Sequence, residues 1–270
     1  QTFRMYWFPI ARSALAALGA NWFGHPAERL CMIGVTGTNG KTTVTCLVKH
    51  VLEQTLGAKV GLIGTIENRI GDTVLPTERT TPESFALQGL LRQMLDAGCT
   101  HVVMEVSSHA LALHRVDGIP FTVGAFTNLT EDHLDFHKTM EAYGAAKARL
   151  FRLCRTGVLN ADDPAYRTML QGAACTPLLV GTGKDAALRA EQVGGIRLRL
   201  PRGSRPQPRL VPQPEMAHTE IIEQNGALAG PERLLKRGKR PGKIAVFEPQ
   251  PGDILENARM AGALQGLLIQ

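Results

Sequence analysis

Eight residues, TGTNGKTT at positions 36–43, constrain this chain more than any other feature. They follow an apolar run at 30–35 and open an amphipathic segment at 44–56, so strand, glycine turn, lysine, hydroxyl and helix stand in order. A loop of this kind turns backbone N–H groups toward phosphate oxygens, sets the charge of Lys41 against β and γ phosphates, and lets the Thr42 hydroxyl reach Mg²⁺. The register is unusual. The common GxxxxGK[ST] pattern needs glycine at position 35, where Val35 stands, and Gly37 comes two residues later. The alternative, a glycine turn that only caps a helix, leaves the lysine and the hydroxyl without a purpose.

Downstream, apolar segments at 59–63, 101–106, 123–127 and 157–160 alternate with helical windows at 42–56, 82–97, 140–153 and 164–170. Alternation of this type predicts an α/β fold, a mostly parallel sheet flanked by helices on both faces. Ligands of such sheets bind at the carboxyl ends of the strands. The polar motifs fall there: TGTNGKTT after the first strand, EVSSHAL after the third, TNLTEDHLDFH after the fourth and NADD after the fifth. From position 178 onward the pattern changes to short strands with glycine turns, and a small antiparallel sheet edge is expected.

Charge marks a boundary. Between positions 201 and 243 nine Lys/Arg face four Glu, a balance of +5 within a net charge of +6, and nine of the 16 prolines lie beyond position 200. Proline at that density cannot propagate helix or central strand, so a domain boundary is placed near residue 202. The 270 residues suffice for one core of about 200 residues with an appendage. No apolar run is long enough to cross a bilayer, and the five scattered cysteines form no CxxC pair. A soluble cytoplasmic protein with reduced thiols and no membrane partner is the expectation. A nucleic-acid partner for the basic stretch RLLKRGKRPGK is not favoured, because no aromatic residues interleave it.

Three clusters carry candidate chemistry. Glu105 ends a strand and can face a metal ion, or Ser107 or Ser108 can cap a helix with Glu105 in solvent. The segment 128–137 gathers Glu131, Asp132, His133, Asp135 and His137, which suits transition-metal chelation, a Mg²⁺ site beside a nucleotide, or a solvated acidic turn. His133 and His137 stand four apart, a spacing that lets them share a helix face. Lys147 in YGAAKARLF is either an ordinary helix-surface lysine or a desolvated amine able to capture CO₂ as a carbamate.

GVTGTNGKTT, the TTPE at 80–83, MEVSSHALxxxRV, FTNLTEDHLDFH, AAKARLF and LNADD occur in the order and spacing of the Mur ligase family, and the set most resembles its UDP-N-acetylmuramoyl-tripeptide synthetases. WFGHPAERL at 22–30 resembles the lead into their central domain. By that resemblance residues 1–28 are a remnant of an amino-terminal UDP-binding domain, residues 29–202 are the central ATP-binding domain, and 203–270 is a divergent tail. The motifs of the family's carboxyl-terminal ligase domain are not recognised in that tail, although MAHTE at 216–220 is faintly similar to one of them.

The resemblance implies an ATP-dependent amide ligase of peptidoglycan precursor synthesis. ATP would phosphorylate a carboxylate of UDP-N-acetylmuramoyl-L-alanyl-D-glutamate, and meso-diaminopimelate or L-lysine would attack the acyl phosphate. Thr38, Asn39, Gly40, Lys41, Thr42 and Thr43 would hold the ATP phosphates and Asn160 the adenosine. Thr42 and Glu105 would serve one Mg²⁺, with His133 and a carbamate on Lys147 serving a second. Lys41, Lys147 and His133 would be catalytic, and Thr80, Thr81, Ser107 and Arg115 would bind the muramoyl peptide. Two departures lie beside that peptide: Arg79 stands where asparagine is common, and Leu113 replaces a frequent glutamine. An inactive nucleotide-binding module of this family and a folylpolyglutamate synthetase-like ligase are the alternatives.

Overall fold

A computed structural model describes residues 2–191 and 197–199 of the chain. Its elements run in the order α1 (Thr2–Trp22), a 3₁₀ turn (Pro26–Arg29), β1 (Cys31–Thr36), α2 (Lys41–Leu56), β2 (Val60–Ile63), β3 (Asn68–Ile70), β4 (Thr73–Leu75), α3 (Ser84–Asp96) and β5 (His101–Glu105). There follow α4 (Ser108–Ala112), β6 (Phe121–Phe126), α5 (Leu134–His137), α6 (Met140–Ala148), α7 (Leu150–Leu153), β7 (Cys154–Asn160), α8 (Tyr166–Met169), β8 (Thr176–Gly181), β9 (Leu188–Glu191) and β10 (Arg197–Arg199). The tail 203–270 and the boundary expected near 202 lie outside the described residues.

The strands form one sheet in the order β10-β9-β8-β7-β6-β1-β5-β2-β3-β4. From β2 through β9 neighbouring strands run parallel. Side chains alternate across the pleat and build two cores. Met32, Val102 and Met104 join one cluster with Leu87, Leu91 and Met94 of α3. Ile33, Val35, Val103 and Val123 join the other with Val44, Val48 and Leu52 of α2, an i, i+4, i+8 stripe. Pairing of Ile33 with both Val103 and Val123 keeps the three in one layer.

The α/β architecture and the five strands read from sequence are present. Beyond position 178, β8 and β9 join in parallel and only β10 turns antiparallel on β9. The opposite edge carries a second antiparallel ribbon, β3 and β4, that the sequence pattern did not announce. Its strands are three residues each, too short to display an alternation, and the turn rests on Gly71 at φ 56°. The helix expected over 140–153 divides at Arg149, where hydrogen bonds tighten to i−3 spacing while the backbone stays right-handed. Helix α1 packs Ala16 and Ala20 inward, and the ring of Phe23 stands 5.0 Å from that of Phe85 on α3. Among the described residues, no helix is long and apolar enough to cross a membrane.

Candidate functional site

Because β1, β2, β5, β6 and β7 are parallel, their carboxyl ends open along one edge of the sheet. The loop of residues 37–40 leaves β1 and enters α2 there. Gly37 has φ 148°, and a Cβ at that position would lie 1.9 Å from the Thr127 hydroxyl, so only glycine fits. Gly40, at φ 80°, caps α2 without a side-chain bond, and the first turn of α2 holds no acidic residue. The positive end of the helix is thereby kept for an anion.

The turn after β6 fixes this loop. Asn128 accepts from Thr38 N through its carbonyl at 2.9 Å and from Asn39 N through Oδ1 at 2.9 Å, and the Thr127 hydroxyl donates to Asn39 O at 2.7 Å. Thr38 Oγ1 meets Thr130 N at 3.0 Å and the Tyr143 hydroxyl at 3.2 Å. Thr127, Asn128, Thr130 and Tyr143 therefore shape the phosphate loop from outside it.

Glu105 lies at the end of β5, buried rather than solvated. Its Oε1 accepts from the Thr42 hydroxyl at 2.9 Å and from Thr65 N at 2.9 Å, and its Oε2 accepts from the Thr65 hydroxyl at 3.0 Å. Only the capping half of the alternative holds: the Ser107 hydroxyl accepts from Ala110 N and opens α4, while Glu105 is not in solvent. Thr65 escaped the sequence search although it follows β2 as the other motifs follow their strands. The residue just before it, Gly64, leaves room for the Glu105 carboxylate, because a Cβ there would stand 2.8 Å from Oε1.

Two lysines converge on the loop. Lys41 Nζ donates to Gly37 O at 3.0 Å and Thr38 O at 2.7 Å, while Lys147 Nζ, from α6, donates to the same Gly37 O at 2.7 Å. Lys147 is 1% exposed, which excludes the helix-surface alternative. Burial holds its amine well below the usual lysine value, the charge of Lys41 pushes the same way, and Asp132 opposes both. Burial also lowers Lys41, against the pull of Glu105 and Asp132. Lys147 Nζ sits 4.3 Å from the centroid of the Tyr143 ring.

The histidines form a ring cluster beside this amine. His133 caps α5 in a left-handed conformation, with its ring 4.9 Å from His109 and 6.3 Å from Tyr143. His133 and Lys147 thus border the same tyrosine. His137 does not share an exposed face with His133. It is buried, hydrogen-bonded to the Ser108 hydroxyl at 2.9 Å, and pushed down to about 4, first by burial and then by His109, Lys147 and His133, with Asp135 opposing.

The residues expected to bind the peptide form one chain of contacts. The Thr80 hydroxyl lies 3.1 Å from the Thr65 hydroxyl, within hydrogen-bond distance. Thr81 donates to Glu105 O at 2.8 Å and accepts from Ser107 N at 3.1 Å, and Arg115 Nη1 donates to Thr81 O at 3.2 Å. Asn160 is buried at the end of β7, where its amide donates to Thr127 O at 2.9 Å and its Oδ1 accepts from Asp162 N at 3.0 Å.

Magnesium prefers oxygen donors and retains waters. Thr42 Oγ1 and Glu105 Oε1, 2.9 Å apart beside the loop, form an oxygen pair that fits such an ion. Among the described residues, no three His, Cys, Asp or Glu side chains gather as a metal cage, so protein ligands would be supplemented by phosphate oxygens and water. His133 and the Lys147 amine offer nitrogen, and they fit magnesium only if Lys147 gains the oxygens of a carbamate.

Comparison with known proteins bears on this geometry. The family described as the Mur ligase middle domain matches residues 35–196. A UDP-N-acetylmuramoyl-L-alanyl-D-glutamate--2,6-diaminopimelate ligase of Caldanaerobacter subterraneus subsp. tengcongensis is 47% identical over 184 residues, covering 68% of this chain and 38% of the relative. The corresponding ligase 1 of Clostridium acetobutylicum is 48% identical over 182 residues, covering 67% and 38%. A solved structure of a UDP-N-acetylmuramoyl-L-alanyl-D-glutamate--2,6-diaminopimelate ligase matches with a TM-score of 0.60 at 30% identity, over 67% of this chain and 39% of that one. The chain spans about 38% of the length of these curated relatives.

Proposed function

This chain belongs to the Mur ligase family, and from that premise we propose that it carries the phosphate-transfer centre of an ATP-dependent amide ligase. The substrate carboxylate belongs to UDP-N-acetylmuramoyl-L-alanyl-D-glutamate, and the amine that replaces phosphate is meso-diaminopimelate or L-lysine. The names of the similar ligases favour the diaminopimelate choice. The observation that carries the proposal is the convergence of Lys41, Lys147 and the Thr42–Glu105 pair on one phosphate loop.

An acyl phosphate forms only when a carboxylate and the γ-phosphate, both anionic, approach within bonding distance. Lys41 exchanges its contacts with Gly37 O and Thr38 O for phosphate oxygens, and the first turn of α2 directs N–H groups at the same charge. Mg²⁺ bound by Thr42 and Glu105 would neutralise charge on the phosphates. Arg115, Thr81 and Ser107 hold the substrate so that its carboxylate faces the γ-phosphorus in line. Lys147, as a neutral amine, would add to CO₂ and give up a proton to solvent to become a carbamate, whose oxygens with His133 would hold a second Mg²⁺ and so supply further neutralisation of phosphate charge. Asn160 marks the adenosine side of the site. Reaction of a cytoplasmic nucleotide precursor suits a chain whose described helices include none that crosses a membrane.

Conversion of ATP to ADP tests the proposal. ADP should appear with the muramoyl dipeptide nucleotide present, and a tripeptide product should form when diaminopimelate or lysine is added. ATP binding with no ADP under any combination contradicts a ligase and leaves a nucleotide-binding module.

A further inference from the structure

Cys154 opens β7, and Cys175 directly precedes β8, the strand that pairs with β7 in parallel. The register of Thr156 with Thr176 sets Cys154 one residue off level with Cys175. A strand spacing of about 4.8 Å and a rise of about 3.3 Å then put their Cα atoms roughly 6 Å apart, inside the range that a disulfide spans. Their sulfurs also converge. Gly124 and Gly157 are register partners on β6 and β7; a Cβ at Gly124 would stand 2.9 Å from Cys154 Sγ, and one at Gly157 would stand 2.7 Å from Cys175 Sγ. Each sulfur therefore lies over a bare glycine, and the two glycines are neighbours, so both sulfurs rest in one trough of the sheet surface. The two side chains hydrogen-bond to each other there, and both are free thiols.

We propose that Cys154 and Cys175 are an oxidative modification site, a dithiol that hydrogen peroxide converts to a disulfide stapling the amino ends of β7 and β8.

The two sulfurs divide the chemistry. Cys154 is buried and its thiol is pushed up to about 12, first by burial and then by Cys175, so it keeps its proton. Cys175 is half-buried and is the sulfur that meets the oxidant. Its thiolate attacks one peroxide oxygen, the O–O bond breaks, and a sulfenic acid forms as the departing hydroxide takes up a proton to become water. The Cys154 sulfur then attacks the sulfenic sulfur, the S–O bond breaks, and the thiol proton leaves with the hydroxyl as a second water. Two thiols lose two electrons in all, and one peroxide is reduced to two waters. The site is separate from the phosphate-transfer centre: Cys154 and Asn160 occupy opposite ends of β7, about 20 Å apart at the rise of a strand. The staple closes the loop 155–174, which contains α8, and so restricts the unfolded chain.

Mass mapping of the whole chain tests this. The folded chain is treated with hydrogen peroxide, unfolded in the presence of iodoacetamide and digested with trypsin without reductant. Peptide 153–155 should appear joined to peptide 168–184, two hydrogens lighter than their sum, and dithiothreitol should release both. The thermal midpoint of the oxidised chain should rise by roughly 5 °C. Cys154→Ser removes the resolving sulfur, so dimedone should trap a sulfenic acid on Cys175. Absence of the joined peptide, or its formation only when peroxide is added after unfolding, would overturn the proposal. So would a native chain in which Cys175 passes on to sulfinic acid while Cys154 is alkylated, because the two sulfurs then do not meet. An unchanged or lower midpoint in the linked chain overturns the staple. Mapping of the native sequence decides the matter whether or not Cys154→Ser folds.

Discussion

Lys147 reaches Gly37 across 110 positions of sequence and donates to its carbonyl at 2.7 Å. Lys41 donates to the same oxygen, so one acceptor serves two amines, only one of which needs to be charged. Burial holds Lys147 well below the usual lysine value, which favours it over Lys41 as the amine that takes up CO₂ in the proposed reaction. Carbon-13 NMR in labelled bicarbonate should show a carbamate resonance near neutral pH that Lys147→Arg lacks. Lowering the pH protonates the amine and removes the signal. Since the amine is held below the ordinary lysine range, the signal should survive to lower pH than a carbamate on an exposed lysine.

Gly37→Ala places a methyl group against the Thr127 hydroxyl in a backbone conformation that disfavours any side chain. Nucleotide affinity should fall by at least about tenfold, with a loss of stability on the order of 1–3 kcal/mol. Thr127→Ala combined with Gly37→Ala should recover part of the affinity, because the nearest clashing atom is gone. Fluorescent nucleotide titration together with urea unfolding measures both effects.

Thr65 holds both oxygens of Glu105, so it should set the geometry of the proposed magnesium site without touching phosphate. Thr65→Val should raise the Mg²⁺ concentration needed for half-maximal ADP formation by roughly tenfold, and Thr65→Ser should restore it. Glu105→Gln, which keeps the shape but loses the charge, should raise it further. Nucleotide affinity measured without Mg²⁺ should change little in all three variants.

His137 makes stability depend on pH. Its imidazole is pushed from 6.5 down to about 4, so between these values the unfolded chain binds a proton that the folded chain refuses. The neutral ring's contribution is present above 6.5 and is lost as the pH falls toward 4. Burial is the main cause of the shift, His109 and His133 add to it and Asp135 opposes it, and Lys147 adds to it only while its amine is protonated. Urea midpoints should fall across that window, and His137→Gln should flatten the fall.

Much of this architecture is legible in sequence, for identifiable reasons. The buried parallel strands are continuous apolar runs, and the rule that ligands sit at strand carboxyl ends selected Glu105, Ser107 and the phosphate loop. The same rule pointed at Thr65, but GTIEN after β2 resembles an ordinary turn and carries no motif. Spacing alone left Lys147 open between a surface lysine and a desolvated amine, because the groups that bury it, Tyr143 and the Gly37 carbonyl, are brought to it only by tertiary packing. Strands β3 and β4 were missed because three residues cannot establish a period.

Transfer of the γ-phosphate to a substrate carboxylate is tested most directly by oxygen isotope. The muramoyl dipeptide nucleotide, labelled with oxygen-18 in its glutamyl carboxylates, is incubated with the chain, ATP and Mg²⁺, with hydroxylamine added to release the acyl group. Phosphate carrying one labelled oxygen, formed together with the hydroxamate, is the predicted result. Phosphate without label, released as fast with the dipeptide as without it, would show that water rather than the carboxylate receives the phosphoryl group and would contradict the ligase mechanism.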